Sequence, residues 1–180
     1  MSPPVRGFAL TGAARACATP AGAYSNCLAL SARYAAWLRA RGEPAGLLAL
    51  RGSRAAFPGA AGRWPHCDLS GYAHWVTASG GWAVDWTLRQ FDPAAGWPVV
   101  TPVAVLADGW DAVEVWACER CPDLVADPRH QVLAPPALHA EHRALAEATD
   151  GAGPFPDPRH DRTAPLVPMC RCGERAAMPG

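Results

Sequence analysis

The sequence predicts an α+β fold in which an N-terminal helix carrying a cysteine packs on an antiparallel sheet, followed by an irregular acidic C-terminal extension. Three observations carry that prediction. Residues 27–41 (CLALSARYAAWLRAR) place Leu30, Tyr34, Trp37 and Leu38 on one helical stripe. Residues 72–87 are rich in aromatic and β-branched side chains on both sides of a Gly80-Gly81 turn. After residue 117 the chain turns acidic and proline-rich. The core is therefore set at residues 1–117 and an extension with cysteine pairs at 118–180.

Residues 1–24 are small and irregular, and Pro3, Pro4, Pro20 and Gly22 prevent a long element there. The helix follows, with Ser25 or Asn26 able to cap its start, Arg39 and Arg41 at the negative end of its dipole, and Gly42 as its stop. Residues 46–50 read as a strand. Residues 51–71 form a Gly/Pro-rich loop holding Trp64, His66 and Cys67. In the hairpin, a two-residue turn sets Ser79 opposite Trp82 and leaves Asp85 diagonal to His74 on one face; a four-residue loop sets the two directly opposite, and a three-residue loop separates them. The other face then carries Trp75, Trp82, Val84 and Trp86. The His face carries Val76, Ala78 and Ala83, small enough to receive the helix. Residues 98–106 and 113–116 complete the sheet. In the extension, 136–149 is a helical candidate, and Asp-Pro-Arg-His occurs at 127–130 and again at 157–160.

Charge and composition remove whole classes of function. With 16 basic and 16 acidic residues among 180 the formal charge is +0, which argues against an obligate nucleic-acid binder. The total hides a split: residues 1–90 carry nine Arg and three acids (+6), and residues 91–180 carry seven Arg and thirteen acids (−6). The Arg excess surrounds the candidate site described next and would favour an anion there, while the acidic half is the natural cover for the basic one. No run reaches the roughly 18 apolar residues of a membrane span, and Gly12 and Arg15 interrupt the first apolar patch before a secretory signal forms. The expected compartment is the cytoplasm, with export as an effector left open. Seven cysteines, an odd number, point to catalysis or metal ligation before a disulfide framework.

Cys27 falls in the first turn of the helix, where unpaired N–H groups favour a thiolate. His74 can take the proton and Asp85 can orient the imidazole, which makes a nucleophile, base and orienter set for covalent acyl transfer. A buried structural cysteine and a structural His–Asp pair are the plainer alternative. His66 and Cys67 are a weaker candidate pair, because no helix start precedes Cys67.

The stretches Asn26-Cys27, Ala73-His74-Trp75-Val76 and 81–92 (GWAVDWTLRQFD) resemble the papain-like and transglutaminase-like cysteine enzymes, including bacterial papain-fold toxin and deamidase domains. The resemblance covers roughly residues 20–106. It implies a papain-like core, a Cys27, His74 and Asp85 triad, no cofactor for catalysis, and a protein or peptide substrate attacked at a side-chain or backbone amide. Peptidase, glutamine deamidase and transglutaminase activities share that machinery. The glutamine that precedes the cysteine in that superfamily is absent. The Cys27 N–H is one oxyanion donor, and Asn26, Tyr24, Trp75 and Gln90 are the candidates for the remaining oxyanion and substrate contacts. A catalytically inactive scaffold that binds a protein partner is the alternative function.

A second constellation lies in the extension. Cys118, Cys121, Cys170 and Cys172 offer four thiolates, enough for a structural zinc, although the Cys-x-Cys half and the long gap are unusual and a disulfide, a redox pair or unpaired thiols fit as well. His139 and His142 lie on a helical face better suited to solvent than to metal.

Overall fold

The structure, a computed structural model, describes residues 3–24, 26–51, 73–110 and 112–119. Three short helices, α1 (Arg6–Ala9), α2 (Gly12–Ala16) and α3 (Pro20–Ala23), lead into the long α4 (Cys27–Arg39). None of the first three exceeds five residues, as the prolines and glycines require. Thr11 and Thr19 cap two of them by accepting from Ala14 N and Gly22 N.

The strands are β1 (Gly46–Arg51), β2 (Ala73–Ser79), β3 (Trp82–Asp85), β4 (Val99–Pro102) and β5 (Ala112–Ala117), joined antiparallel in the order β4-β3-β2-β1-β5. The fold is thus α+β, built on a five-stranded antiparallel sheet. Gly80 and Gly81 take φ of 57° and 81°, the successive left-handed pair of a two-residue hairpin turn, and Ser79 faces Trp82. That register is the one in which Asp85 lies diagonal to His74. The segment expected as one strand over 98–106 is cut at Pro102, which lacks an N–H to continue the ladder; Val103–Asp108 winds into a 3-10 segment instead.

The helix takes the opposite face of the sheet from the one expected. Its buried side chains, among them Leu30, Tyr34 and Leu38, share one core with Leu47, Ala49, Trp75, Val84 and Trp86. Two hydrogen bonds lock it there: Ser31 Oγ donates to Trp75 O at 2.9 Å, and Thr77 Oγ1 donates to Ser31 O at 2.8 Å. The reason is area. A buried aromatic ring removes roughly 150–250 Å² from water, about 4–6 kcal/mol at ~25 cal/mol/Å², whereas the alanines of the His face offer little. Phe8 of α1, Tyr34 of α4 and Trp86 add mutual ring contacts at 4.9–5.0 Å. The His face is covered by the 3-10 segment through Leu106, with Trp110 beside it, over Leu48, Leu50, Val76, Ala78 and Ala83.

At the hairpin end of the sheet, Arg39 donates to Ala45 O (2.7 Å) and Cys118 O (2.9 Å), tying the end of α4 to β1 and to the exit of β5. Gly46 permits this closure, since a Cβ there would stand 2.3 Å from Ala117 O. Gly46→Ala is therefore expected to lower unfolding free energy by about 2–4 kcal/mol, as a backbone clash in a sheet interior does. Gly12→Ala, where a Cβ meets nothing within 4 Å, should be close to neutral in the same urea titration.

Candidate active site

The hairpin register delivers the first part of the site. Thr77 pairs with Val84, so Asp85 stands across from Val76 and one step diagonal from His74. The two side chains meet, with His74 Nε2 2.7 Å from Asp85 Oδ2. The other carboxylate oxygen accepts from Thr87 N at 2.8 Å and from Thr87 Oγ1 at 3.4 Å, which fixes the direction in which Asp85 points.

Cys27, the first residue of α4, lies near enough to the same imidazole to help raise its pKa. Because α4 covers the Trp75 face and His74 is the second residue of β2, thiol and ring meet at the start of the strand, not across the face. Asn26 does not cap the helix. Its Nδ2 donates back to Gly22 O at 2.8 Å, and the first-turn amides receive no side-chain acceptor from it. Cys27 stands at the positive end of the helix dipole.

The remaining walls of the His74 pocket come from the chain that follows β3. Gln90, in the 3-10 turn Leu88–Gln90, brings Nε2 to 3.3 Å from His74 Nδ1. Phe91 meets the ring edge-on at 5.1 Å, and Trp110 stacks on it at 5.4 Å and 8°. Arg89 anchors this turn by donating to Ala18 O and Ala95 O at 2.8 and 3.0 Å. In Asp-x-Thr-x-x-Gln-Phe, then, Thr87 aligns the carboxylate and Gln90 and Phe91 enclose the imidazole.

Burial opposes a charge on the ring, yet the carboxylate of Asp85, its hydrogen bond and the contact with Cys27 outweigh it and push the His74 pKa up to about 10. The surroundings therefore favour the protonated ring. Cys17, in the same core, goes the other way: burial first and the neighbouring Cys27 second raise its pKa to about 12 against the opposing charge of Arg33, so it remains a thiol. Cys27 and His74 are 0% exposed and Asp85 is 8% exposed. Beyond Asp85 and Trp110, on the face away from α4, lies a cavity of about 160 Å³ that Val76, Leu106 and Thr101 help to line.

The other candidates divide. Trp75, a candidate substrate contact for which core packing was the favoured role, is core: it packs under α4 and edge-on against Trp116 at 5.8 Å. Trp86 is likewise fully buried in that core. Gln90 belongs to the site, but on the imidazole. Tyr24 ends α3, half-buried, three residues before Cys27. Trp64, His66, Cys67, Cys121, His139, His142, Cys170 and Cys172 lie outside the described residues, as do the Asp-Pro-Arg-His pair and the helix expected at 136–149. Cys118 lies at the hairpin end, and among the described residues no three His, Cys, Asp or Glu side chains cluster as metal ligands. No helix among the described residues is long and apolar enough to cross a membrane. Cys17, Trp110 and the roles of Arg89 and Phe91 were invisible to pattern reading; only the Thr-x-x-Gln-Phe tail carried a signal.

Two outcomes follow from the electrostatics. Asp85→Ala leaves a buried imidazole without its counter-charge and should cost roughly 3–5 kcal/mol in a denaturant titration at pH 6. The proton affinity of His74 is higher in the folded chain, so its contribution to stability should be complete below pH 6.5 and vanish as pH rises through about 10. His74→Gln should flatten that part of the stability curve measured from pH 6 to 10.5. No protein-family model, no curated protein and no solved structure matches the chain.

Proposed function

We propose that the chain is a cysteine-dependent acyl-transfer enzyme of papain-like or transglutaminase-like build, acting on a protein or peptide amide through Cys27, His74 and Asp85. The observation that carries the reading is a buried imidazole bonded to Asp85, with a helix-start cysteine near enough to act on the same ring. The resemblance around Asn26-Cys27, His74 and the segment 81–92 supports the same assignment.

In this mechanism the proton of Cys27 rests on His74 and the sulfur attacks the amide carbonyl carbon. A C–S bond forms, the C–N bond breaks, and the leaving nitrogen departs with the proton from His74. Once sulfur is acylated its charge no longer supports the imidazolium. The ring then gives up protons more readily and can accept one from the incoming nucleophile. Water releases the free acid and an amine gives a cross-link; in either case the C–S bond breaks and the thiolate returns. Asp85 holds the ring in plane throughout. The Cys27 N–H and its first-turn neighbours are the nearest oxyanion donors. No cofactor enters the chemistry, and a zinc on Cys118 and its three partner thiols would be structural, tethering the extension at the hairpin end.

One observation favours the alternative of an inactive protein-binding scaffold: neither Cys27 nor His74 has any exposed surface. Thiol labelling separates the two. With the enzyme reading, iodoacetamide at pH 7 alkylates Cys27 faster than Cys118, and His74→Ala slows it at least roughly tenfold, since the thiolate is the reactive form. Cys17 serves as an internal control that stays unmodified. Equal rates for Cys27 and Cys118, unaltered in His74→Ala, would leave the scaffold as the function. For the enzyme, ammonia release from a glutamine-containing protein, set against peptide-bond cleavage, assigns the reaction.

A further inference from the structure

The cavity of about 160 Å³ on the face away from α4 has a polar wall and an apolar remainder. Thr101 pairs with Ala83, which sets it diagonal to Asp85 on the same face of neighbouring strands, and both line the cavity. Val76 and Ala83, 1% and 3% exposed, form its floor, and Trp110 lies to one side. Val105 also lines it while standing 44% exposed, which gives the cavity a route to solvent. Neither polar group is used up. An ionised carboxylate offers about four acceptor positions, and Thr87 N, Thr87 Oγ1 and His74 Nε2 leave one of them open on Oδ2. Among the described residues, none is hydrogen-bonded to the Thr101 hydroxyl.

These walls select the occupant. A cavity of roughly 150 Å³ holds a benzene-sized molecule. A cation there would compete with His74 for Asp85, an anion would be repelled by Asp85, and the apolar walls penalise either charge. A plain hydrocarbon fits the volume but leaves the Thr101 hydroxyl and the open Oδ2 position without a partner. One neutral hydroxyl answers both, donating to Asp85 Oδ2 and accepting from Thr101 Oγ1.

We propose that this cavity is a binding site for a small neutral aromatic alcohol, with its ring against Val76, Ala83 and Trp110 and its hydroxyl between Asp85 and Thr101. The site is separate from the sulfur, because Cys27 belongs to the core on the α4 side of the sheet. Its occupant still bears on the imidazole, since it touches the carboxylate bonded to Nε2 and the Trp110 ring stacked on His74. Binding does not rest on the acyl-transfer reading; under that reading the occupant is an effector and not a substrate.

The test is an NMR titration of the full chain at neutral pH with benzyl alcohol, and with ethylbenzene, its counterpart in shape without a hydroxyl. Benzyl alcohol should give saturable shifts at the Thr101 amide and the Trp110 indole, and benzylamine and benzoate should give none. Thr101→Val should weaken benzyl alcohol about fivefold, the size of one hydrogen bond, and leave ethylbenzene unweakened. Ala83→Leu, which adds bulk to the floor, should abolish binding of both. If Ala83→Leu does not fold, the response of the two ligands to Thr101→Val still decides. Shifts that do not saturate, that map away from the cavity, or that persist in Ala83→Leu would overturn the site. Benzyl alcohol binding that Thr101→Val leaves unchanged, or weakens no more than that of ethylbenzene, would overturn the assignment of an alcohol. No thiol chemistry enters the readout, so this outcome is independent of the iodoacetamide result.

Discussion

A protonated imidazole cannot be buried alone. An ion taken from water into a protein interior loses several kcal/mol of hydration, which is recovered only when a counter-charge in good geometry and further hydrogen bonds replace it. His74 is fully buried and Asp85 raises its proton affinity, so the surrounding structure must supply that counter-charge. The supply is topological. A two-residue turn fixes the register, register places Asp85 on the face of His74, and the chain reversal at Thr87 locks the second carboxylate oxygen. Once the pair is in place, the segment from Thr87 to Phe91 has little freedom, because three of its side chains or amides are bonded to the pair or packed on it.

The sheet then divides its labour between two faces. One face holds the large aromatic surface and takes α4, with Ser31 and Thr77 bringing helix and strand backbones together. The opposite face holds the ionised pair, and the 3-10 segment with Trp110 covers it. A 3-10 segment of six residues is a smaller lid than a helix, and a cavity of about 160 Å³ stays beneath it beside Asp85. Such a division keeps the thiol on one layer and the carboxylate on the other. The ring lies between them, near the start of β2.

How much of this was legible in the sequence depends on which physical quantity decides each feature. The helix, the hairpin and the α+β class follow from local periodicity and turn chemistry. The His74–Asp85 meeting follows from the parity of the strands, a short-range count. The helix was expected on the wrong face because parity says which residues share a face but not which face a third element will choose. That choice is a comparison of buried areas, and the tryptophans win it. The end of β4 was missed although Pro102 marks it. Ser25 or Asn26 was read as a cap from residue type; Ser25 lies outside the described residues, and Asn26 makes no cap bond, its Nδ2 donating to Gly22 O instead. Gln90 was named for the site, but its contact with the imidazole was not, since its placement depends on how Arg89 and Phe91 pack, which no spacing encodes.

The charge split takes on a different meaning once the arginines are placed. Arg39 serves the carbonyls of Ala45 and Cys118, Arg41 lies 3.7 Å over the Trp37 ring, and Arg51 pairs with Glu114 at 3.3 Å. Much of the positive excess is thus committed to holding edges together. Gly46 pairs with Ala78 and His74 with Leu50, so Ala45, whose carbonyl Arg39 binds, lies five strand residues from the position opposite His74, about 16 Å at ~3.3 Å per residue. That is beyond the roughly 8–10 Å over which exposed charges act in physiological salt. Nearer the site, Arg33 acts on the neighbouring thiol Cys17. The same geometry bears on the acidic extension. It leaves the core at Cys118 and Glu119, where Arg39 and Gly80 engage it, at the hairpin end of the sheet. The extension therefore starts at the end of β2 remote from Cys27, and any influence on the thiol requires contact by a segment that has run back along the sheet.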